Sequence, residues 1–141
     1  MLFFSLRNIF VKNDRSILGE IGFTHEIANY NEDLDDNFLY YPNEYFDEKP
    51  IIENSFDIWS LGCVFYEITT GKKAFDRKVD ILENNLPSLS RLTNENCLME
   101  IIRDMLQIDK NNRIKICDVL KFLNPNIKKF KADTLNNIKC I

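Results

Sequence analysis

The chain has 141 residues, 45% of them hydrophobic, and carries 18 lysines and arginines against 22 aspartates and glutamates, a net charge of −4. That is enough apolar material for the core of one domain, and the acidic balance excludes a broad nucleic-acid-binding surface. No apolar run approaches the length of a membrane span, and residues 1–6 are too short for a signal-peptide core, with Arg7 and Lys12 standing where small residues would follow one.

In chain order, residues 8–22 read as a strand, a polar turn and a second short strand. Ile9, Phe10 and Val11 favour extended backbone, Asn13-Asp14-Arg15-Ser16 is turn chemistry, and Ile17-Leu18 returns to strand character. Residues 23–54 show no sustained period and hold the acids Glu32, Asp33, Asp35 and Asp36, which predicts a long surface loop.

Four helical stretches follow. The first, 57–70, is apolar on nearly every side through Ile58, Trp59, Leu61, Val64, Phe65 and Ile68, the pattern of a buried helix. Ser55 and Asp57 are residue types that cap free amides and put negative charge at a helix start, and Gly71 is a stop signal. A short second helix is predicted near 78–84. A third, about 95–107, has Leu98, Ile101, Ile102, Met105 and Leu106 at helical spacing. The fourth, about 115–123, has Ile116, Val119, Leu120 and Leu123, and Pro125 ends it.

The tail, 124–141, carries Lys128, Lys129, Lys131 and Lys139 against Asp133 and reads first as a solvated basic segment, with nucleic-acid or acidic-lipid contact second. Cys63, Cys97, Cys117 and Cys140 make no C-x-x-C pair. Cys63 and Cys117 fall in apolar helical patterns, so reduced thiols, no disulfide frame, no zinc site and a cytoplasmic or nuclear setting are expected.

The stretch Asp57-Ile58-Trp59-Ser60-Leu61-Gly62, continuing to Tyr66-Glu67, resembles the central helix of the C-terminal lobe of protein kinases, D-x-W-S-x-G-x-x-x-Y-E. Four further segments fall in the kinase order. Asn8-Ile9-Phe10-Val11 resembles the end of the catalytic loop, H-R-D-x-x-x-x-N, and the strand after it. Leu18-Gly19-Glu20-Ile21-Gly22 stands where L-G-D-F-G would be. Tyr40-Tyr41-Pro42-Asn43-Glu44 resembles the segment that closes the activation loop, and Asp109-Lys110-Asn111-Asn112-Arg113-Ile114 resembles the D-P-x-x-R-x turn before the last helix. From Tyr40 through Phe75 the flavour is that of serine/threonine kinases of the NIMA-related group.

The resemblance implies a mainly α fold, the helical C-terminal lobe of a protein-kinase-like domain, with a short β-hairpin near the N-terminus. It covers residues 8–123, with 1–7 unmatched and 124–141 as a basic tail. It implies Asn8 and Glu20 as ligands of Mg²⁺ and hence of ATP phosphates, with Asp57 and Trp59 as structural residues of the central helix. It also implies an ion pair between Glu44 and Arg113.

Three departures fall on the chemistry. Counting back from Asn8, Phe3 occupies the place of the catalytic aspartate, Leu2 that of the arginine beside it and Ser5 that of the lysine two places on. Phenylalanine cannot accept a proton from a substrate hydroxyl, and the missing arginine removes the usual partner of a phosphorylated activation loop, in which Thr24, Tyr30 and Tyr40 are hydroxyl carriers. Glu20 is one methylene longer than aspartate, and no glycine-rich loop or phosphate-binding lysine strand is present. Two functions are therefore expected from the resemblance. One is a serine/threonine kinase, acting on protein hydroxyls, of which this chain is an inactive part. The other is a pseudokinase-like scaffold that binds a partner protein. A truncated gene product and a degenerate but real protein both remain open readings, with neither nucleic acid nor membrane as partner.

Overall fold

The computed structural model describes residues 5–13, 15–19, 36–51, 53–86 and 96–123. Its element order is a 3-10 turn (Leu6–Asn8), strands β1 (Ile9–Lys12) and β2 (Arg15–Leu18), 3-10 turns at Asp36–Tyr40 and Asn43–Phe46, then helices α1 (Asn54–Thr70), α2 (Lys78–Leu82), α3 (Asn96–Met105) and α4 (Ile116–Leu123), with a 3-10 turn (Lys110–Asn112) between α3 and α4. The mainly helical character and the hairpin agree with the sequence reading.

β1 and β2 pair antiparallel with Ile9 opposite Leu18 and Lys12 opposite Arg15, and Asn13 starts the turn between them. Asn13 takes a positive φ of 52° there, which asparagine tolerates better than most residues. Ile9 packs against the main core, whereas Phe10, Val11 and Ile17 are 58%, 74% and 50% exposed.

α1 is the axis of the molecule. Trp59, Ser60, Gly62, Cys63, Val64 and Tyr66 are all buried, as are Phe56 and Ile58. One side of it joins Leu39, Tyr40, Phe75, Ile81 and Ile102, and another joins Ile101, Met105 and Val119. Fully burying a side chain such as Phe56 or Val64 contributes about 1.5–3 kcal/mol, and such residues on most sides explain why α1 shows no continuous polar face; the expected burial of Ile68 is corrected, since near the end of the helix it is 63% exposed.

α1 starts one turn earlier than expected. Its N-cap is Glu53, with no side-chain capping bond, and Ser55 lies inside the first turn with its hydroxyl buried and unbonded. Burial among the aromatics that precede α1 takes precedence over capping at this end. Asp57 does sit in the first turn, where its charge complements the helix dipole. Gly71 closes the helix at φ 70°, donating its N–H to the Glu67 carbonyl at 2.8 Å.

The expectation of a surface loop over 23–54 is corrected for its described part. Leu39, Tyr40, Tyr41 and Tyr45 are core residues, and Tyr41, Tyr45 and Phe56 form an aromatic cluster, with the Tyr41 and Tyr45 rings 4.5 Å apart. Lack of period here reflects short 3-10 turns, whose side chains follow neither the helical nor the strand repeat. The acids Glu32, Asp33 and Asp35 lie outside the described residues. So do residues 124–141 and residues 1–4.

The cysteine expectation is also corrected in part. Cys63 is free and buried, but Cys117, half-buried on α4, is disulfide-bonded, which its apolar sequence context did not show. The cysteines therefore no longer argue for a cytoplasmic or nuclear setting. Among the described residues no helix is long and apolar enough to cross a membrane.

Gly62 marks the closest approach of α1 to α3. A Cβ there would lie 2.9 Å from the Met105 Cβ and 3.0 Å from Leu106 Cδ2. Met105 Cβ is fixed to its backbone and cannot swing away, so Gly62→Ala should force the helices apart and cost about 1–3 kcal/mol. Urea unfolding of the two proteins checks this, and an unchanged midpoint would contradict the packing.

Candidate functional site

Asn8 closes the 3-10 turn that leads into β1, and its amide donates to the Ser5 carbonyl at 3.0 Å. Its own carbonyl accepts the Gly19 N–H at 2.7 Å, just beyond the Ile9–Leu18 pair. The hairpin thus delivers Asn8 and the residue before Glu20 to the same open end. Glu20 itself lies outside the described residues, as do Phe3, Leu2, Thr24 and Tyr30. Among the described residues no group of three or more His, Cys, Asp or Glu side chains is placed to hold a metal ion.

Tyr40, one of the hydroxyl carriers of the segment that resembles an activation loop, is not presented to solvent. It is 6% exposed, its hydroxyl donates to Glu67 Oε2, and its carbonyl accepts from the Ser60 hydroxyl at 2.8 Å. Burial, with the Glu67 hydrogen bond second, pushes the Tyr40 hydroxyl far above its ordinary 10.0. Burial alone is the main cause that pushes the Cys63 thiol above its ordinary 9.0. The pairing itself carried no signal in the sequence: Tyr40 and Glu67 stand in two motif segments 27 positions apart, and neither segment names the other as its partner.

The ion pair expected between Glu44 and Arg113 is formed. The guanidinium grips the carboxylate with two N–H groups, Nη1 to Oε1 and Nη2 to Oε2 at 2.6 Å, across 69 positions. Its remaining donors are satisfied by the carbonyls of Gln107 (2.8 Å), Ile108 (3.2 Å) and Ser55 (3.4 Å). The Arg113 side chain is 1% exposed and the Glu44 side chain 13%. Asn43 adds to this when its amide is turned to suit its neighbours, donating to Glu44 Oε2 at 3.0 Å and to the Ile108 carbonyl at 3.1 Å.

Trp59 links the pair to the core. Its ring lies 4.9 Å from the Arg113 guanidinium carbon and stacks on Phe75 at 5.5 Å with an interplanar angle of 4°. The turn that carries Arg113 is held by Asp109, whose carboxylate accepts the Asn111 N–H at 2.9 Å. Lys110, standing where the resemblance has proline, instead forms an ion pair with Glu53 at 2.7 Å. That link is partly exposed and adds little by itself.

Arg113→Ala should leave Glu44 buried beside three uncapped carbonyls. A loss of about 3–5 kcal/mol is expected, measured by chemical denaturation, with Arg113→Lys falling between the two because it cannot reproduce the two-pronged grip. Unchanged stability of the alanine variant would contradict the burial described above.

The raised Tyr40 and Cys63 groups set an alkaline limit. A proton held more tightly in the folded state contributes stability that is complete below the ordinary values of 9.0 and 10.0 and is lost as pH rises above them. Thermal melts should therefore fall in Tm from about pH 9 upward, and Tyr40→Phe should show a shallower alkaline decline than the wild type. An equally steep decline in both would remove Tyr40 from that role.

Comparison with known proteins was consistent along most of the chain. The profile of the protein kinase domain family matches residues 6–123, starting two positions before the first motif residue, Asn8. A probable serine/threonine-protein kinase, nek3, of Dictyostelium discoideum is 43% identical over 77 residues, 48% of this chain and 7% of that protein. Serine/threonine-protein kinase Nek4 of Mus musculus is 30% identical over 150 residues, 94% of this chain and 19% of that protein. The chain thus spans less than a fifth of the length of these relatives. With a family match over most of its length and the motif residues in the family's order, this chain belongs to the protein kinase domain family, and its relatives are serine/threonine kinases of the NIMA-related kind.

Proposed function

We propose that the chain corresponds to the C-terminal lobe of a serine/threonine protein kinase and that the polypeptide as it stands does not transfer phosphate. One observation carries the second half of this reading: Phe3 occupies the position of the catalytic aspartate. A positioned general base is typically worth about 10²–10⁴-fold, and a phenyl ring can neither take the proton of a substrate hydroxyl nor orient it.

Asn8 and Glu20 are the residues that would hold Mg²⁺ and, through it, ATP phosphates. An amide oxygen and a carboxylate are the hard donors that this ion takes, so the donor chemistry fits. When bound, Mg²⁺ neutralises phosphate charge. Asn8 is set for this by the Gly19–Asn8 hydrogen bond, which brings the start of the Glu20 segment to its side. The extra methylene of Glu20 relative to aspartate works against short, regular coordination. The kinase family acts on protein hydroxyls, and a protein substrate is the partner this reading implies.

A second reading is a pseudokinase-like scaffold that binds a partner protein. It is favoured by the contrast between the intact Arg113–Glu44–Trp59 foundation and the lost base. Incubating the purified chain with labelled Mg-ATP and a generic protein substrate should give no phosphate incorporation above a blank. Incorporation that disappears in Asn8→Ala would overturn the proposal of inactivity.

A further inference from the structure

Ile58, Leu61, Phe65 and Ile68 follow one another at spacings of three and four on α1, so they share one face of the helix. The first part of that face is covered. Ile58 is buried with Ile101, Met105 and Val119, and Leu61 and Phe65 close on that cluster together with Leu98, Phe122 and Leu123. These last five are only half-buried, and Ile68, one step further along the face, stands open. α4 ends at Leu123, so the chain leaves the described helices at the open edge of this same apolar strip.

Residues 124–141, which follow α4 outside the described residues, carry a matching pattern in their sequence. By charge they read as a solvated basic segment, but their apolar residues are periodic. Asn124 and Pro125 are the residue types of a helix cap and of a first helical position. Beyond them, Ile127, Phe130, Leu135, Ile138 and Ile141 fall within about 140° of arc at 3.6 residues per turn, the width of an apolar stripe. Lys128, Lys129, Asp133 and Lys139 fall outside the arc. Lys131 falls within it, where a lysine can bury its stem and keep its ammonium in water. Four lysines against one aspartate give the segment +3 in a chain of net −4, so residues 1–123 carry −7. We propose that residues 127–141 form an amphipathic helix that docks, within the same chain, on the open Phe65–Ile68 face of α1 beside Leu98 and the end of α4. Three residues separate Leu123 from Ile127, a connection of the length that sets consecutive helices side by side. A tethered segment has only a short loop to close, whereas a free partner would give up its translational freedom. The opposite charges of segment and body favour the same contact.

The docking does not depend on the kinase reading and is tested without nucleotide. The full chain is prepared with photoreactive p-benzoylphenylalanine in place of Phe130, irradiated, and its cross-links are mapped by mass spectrometry. Cross-links to residues 65–68 or to Leu98 of the same chain are expected. Ile68→Asp should cut their yield about tenfold or more, while amide exchange of residues 101–106 keeps its wild-type protection and shows that the body is still folded. Leu135→Ser combined with Ile138→Ser, which touches nothing in the body, should cut the yield to a similar degree. A cross-link that joins two copies of the chain, one that maps to another surface, or no cross-link at all would overturn the proposal. So would a yield that both sets of substitutions leave unchanged.

Discussion

The structure depends on the buried pairing of Arg113 with Glu44. One guanidinium closes the segment before α1, the first turn of α1 and the turn between α3 and α4 into a single joint, with each of its N–H groups bonded. A charge taken out of water is tolerated only when it is paired and its hydrogen bonds are complete. Here both conditions hold, and the Trp59 ring shields the pair on the core side. The pair does more than add energy: it specifies which loop lies against which turn, because no other arrangement satisfies both charges.

Around that joint the packing is organised by α1. A helix buried on most sides cannot be placed by a single hydrophobic stripe, so its position is set by shape and by a few polar contacts. Gly62 lets α3 come close, Ser60 and Glu67 hold Tyr40, and Arg113 holds the N-terminal end. Polar side chains on a helix of this kind are specific addresses. Ser60 and Glu67 both meet Tyr40, so together they fix the Asp36–Tyr40 turn against the helix.

The hairpin stands apart from this arrangement. Its inner pair, Ile9 and Leu18, sits near the core, while its outer residues face solvent. Strand pairing brings Asn8 to Gly19, in a ribbon whose Phe10, Val11 and Ile17 are largely exposed. The helical part and the hairpin thus differ in solidity: the first rests on a core of aromatic and aliphatic side chains, the second on a two-stranded ribbon.

Much of this was legible from the residues. The hairpin, the four helices, the stop at Gly71 and the pairing of Glu44 with Arg113 follow from local period, turn chemistry and the family order of short motifs, since each is written within a few neighbouring residues or in their sequence. The start of α1 at Asn54, the burial of Tyr40 and Tyr41 in a stretch without period, the disulfide at Cys117 and the Lys110–Glu53 link were not legible. They arise from contacts between segments far apart in the chain, and no local pattern records which surface will cover a given side chain. The sequence by itself determined the family and the elements, because these are properties of residue identity and order. Only the tertiary structure decided which hydroxyls and charges are buried and what they touch, because burial is a property of the assembled core.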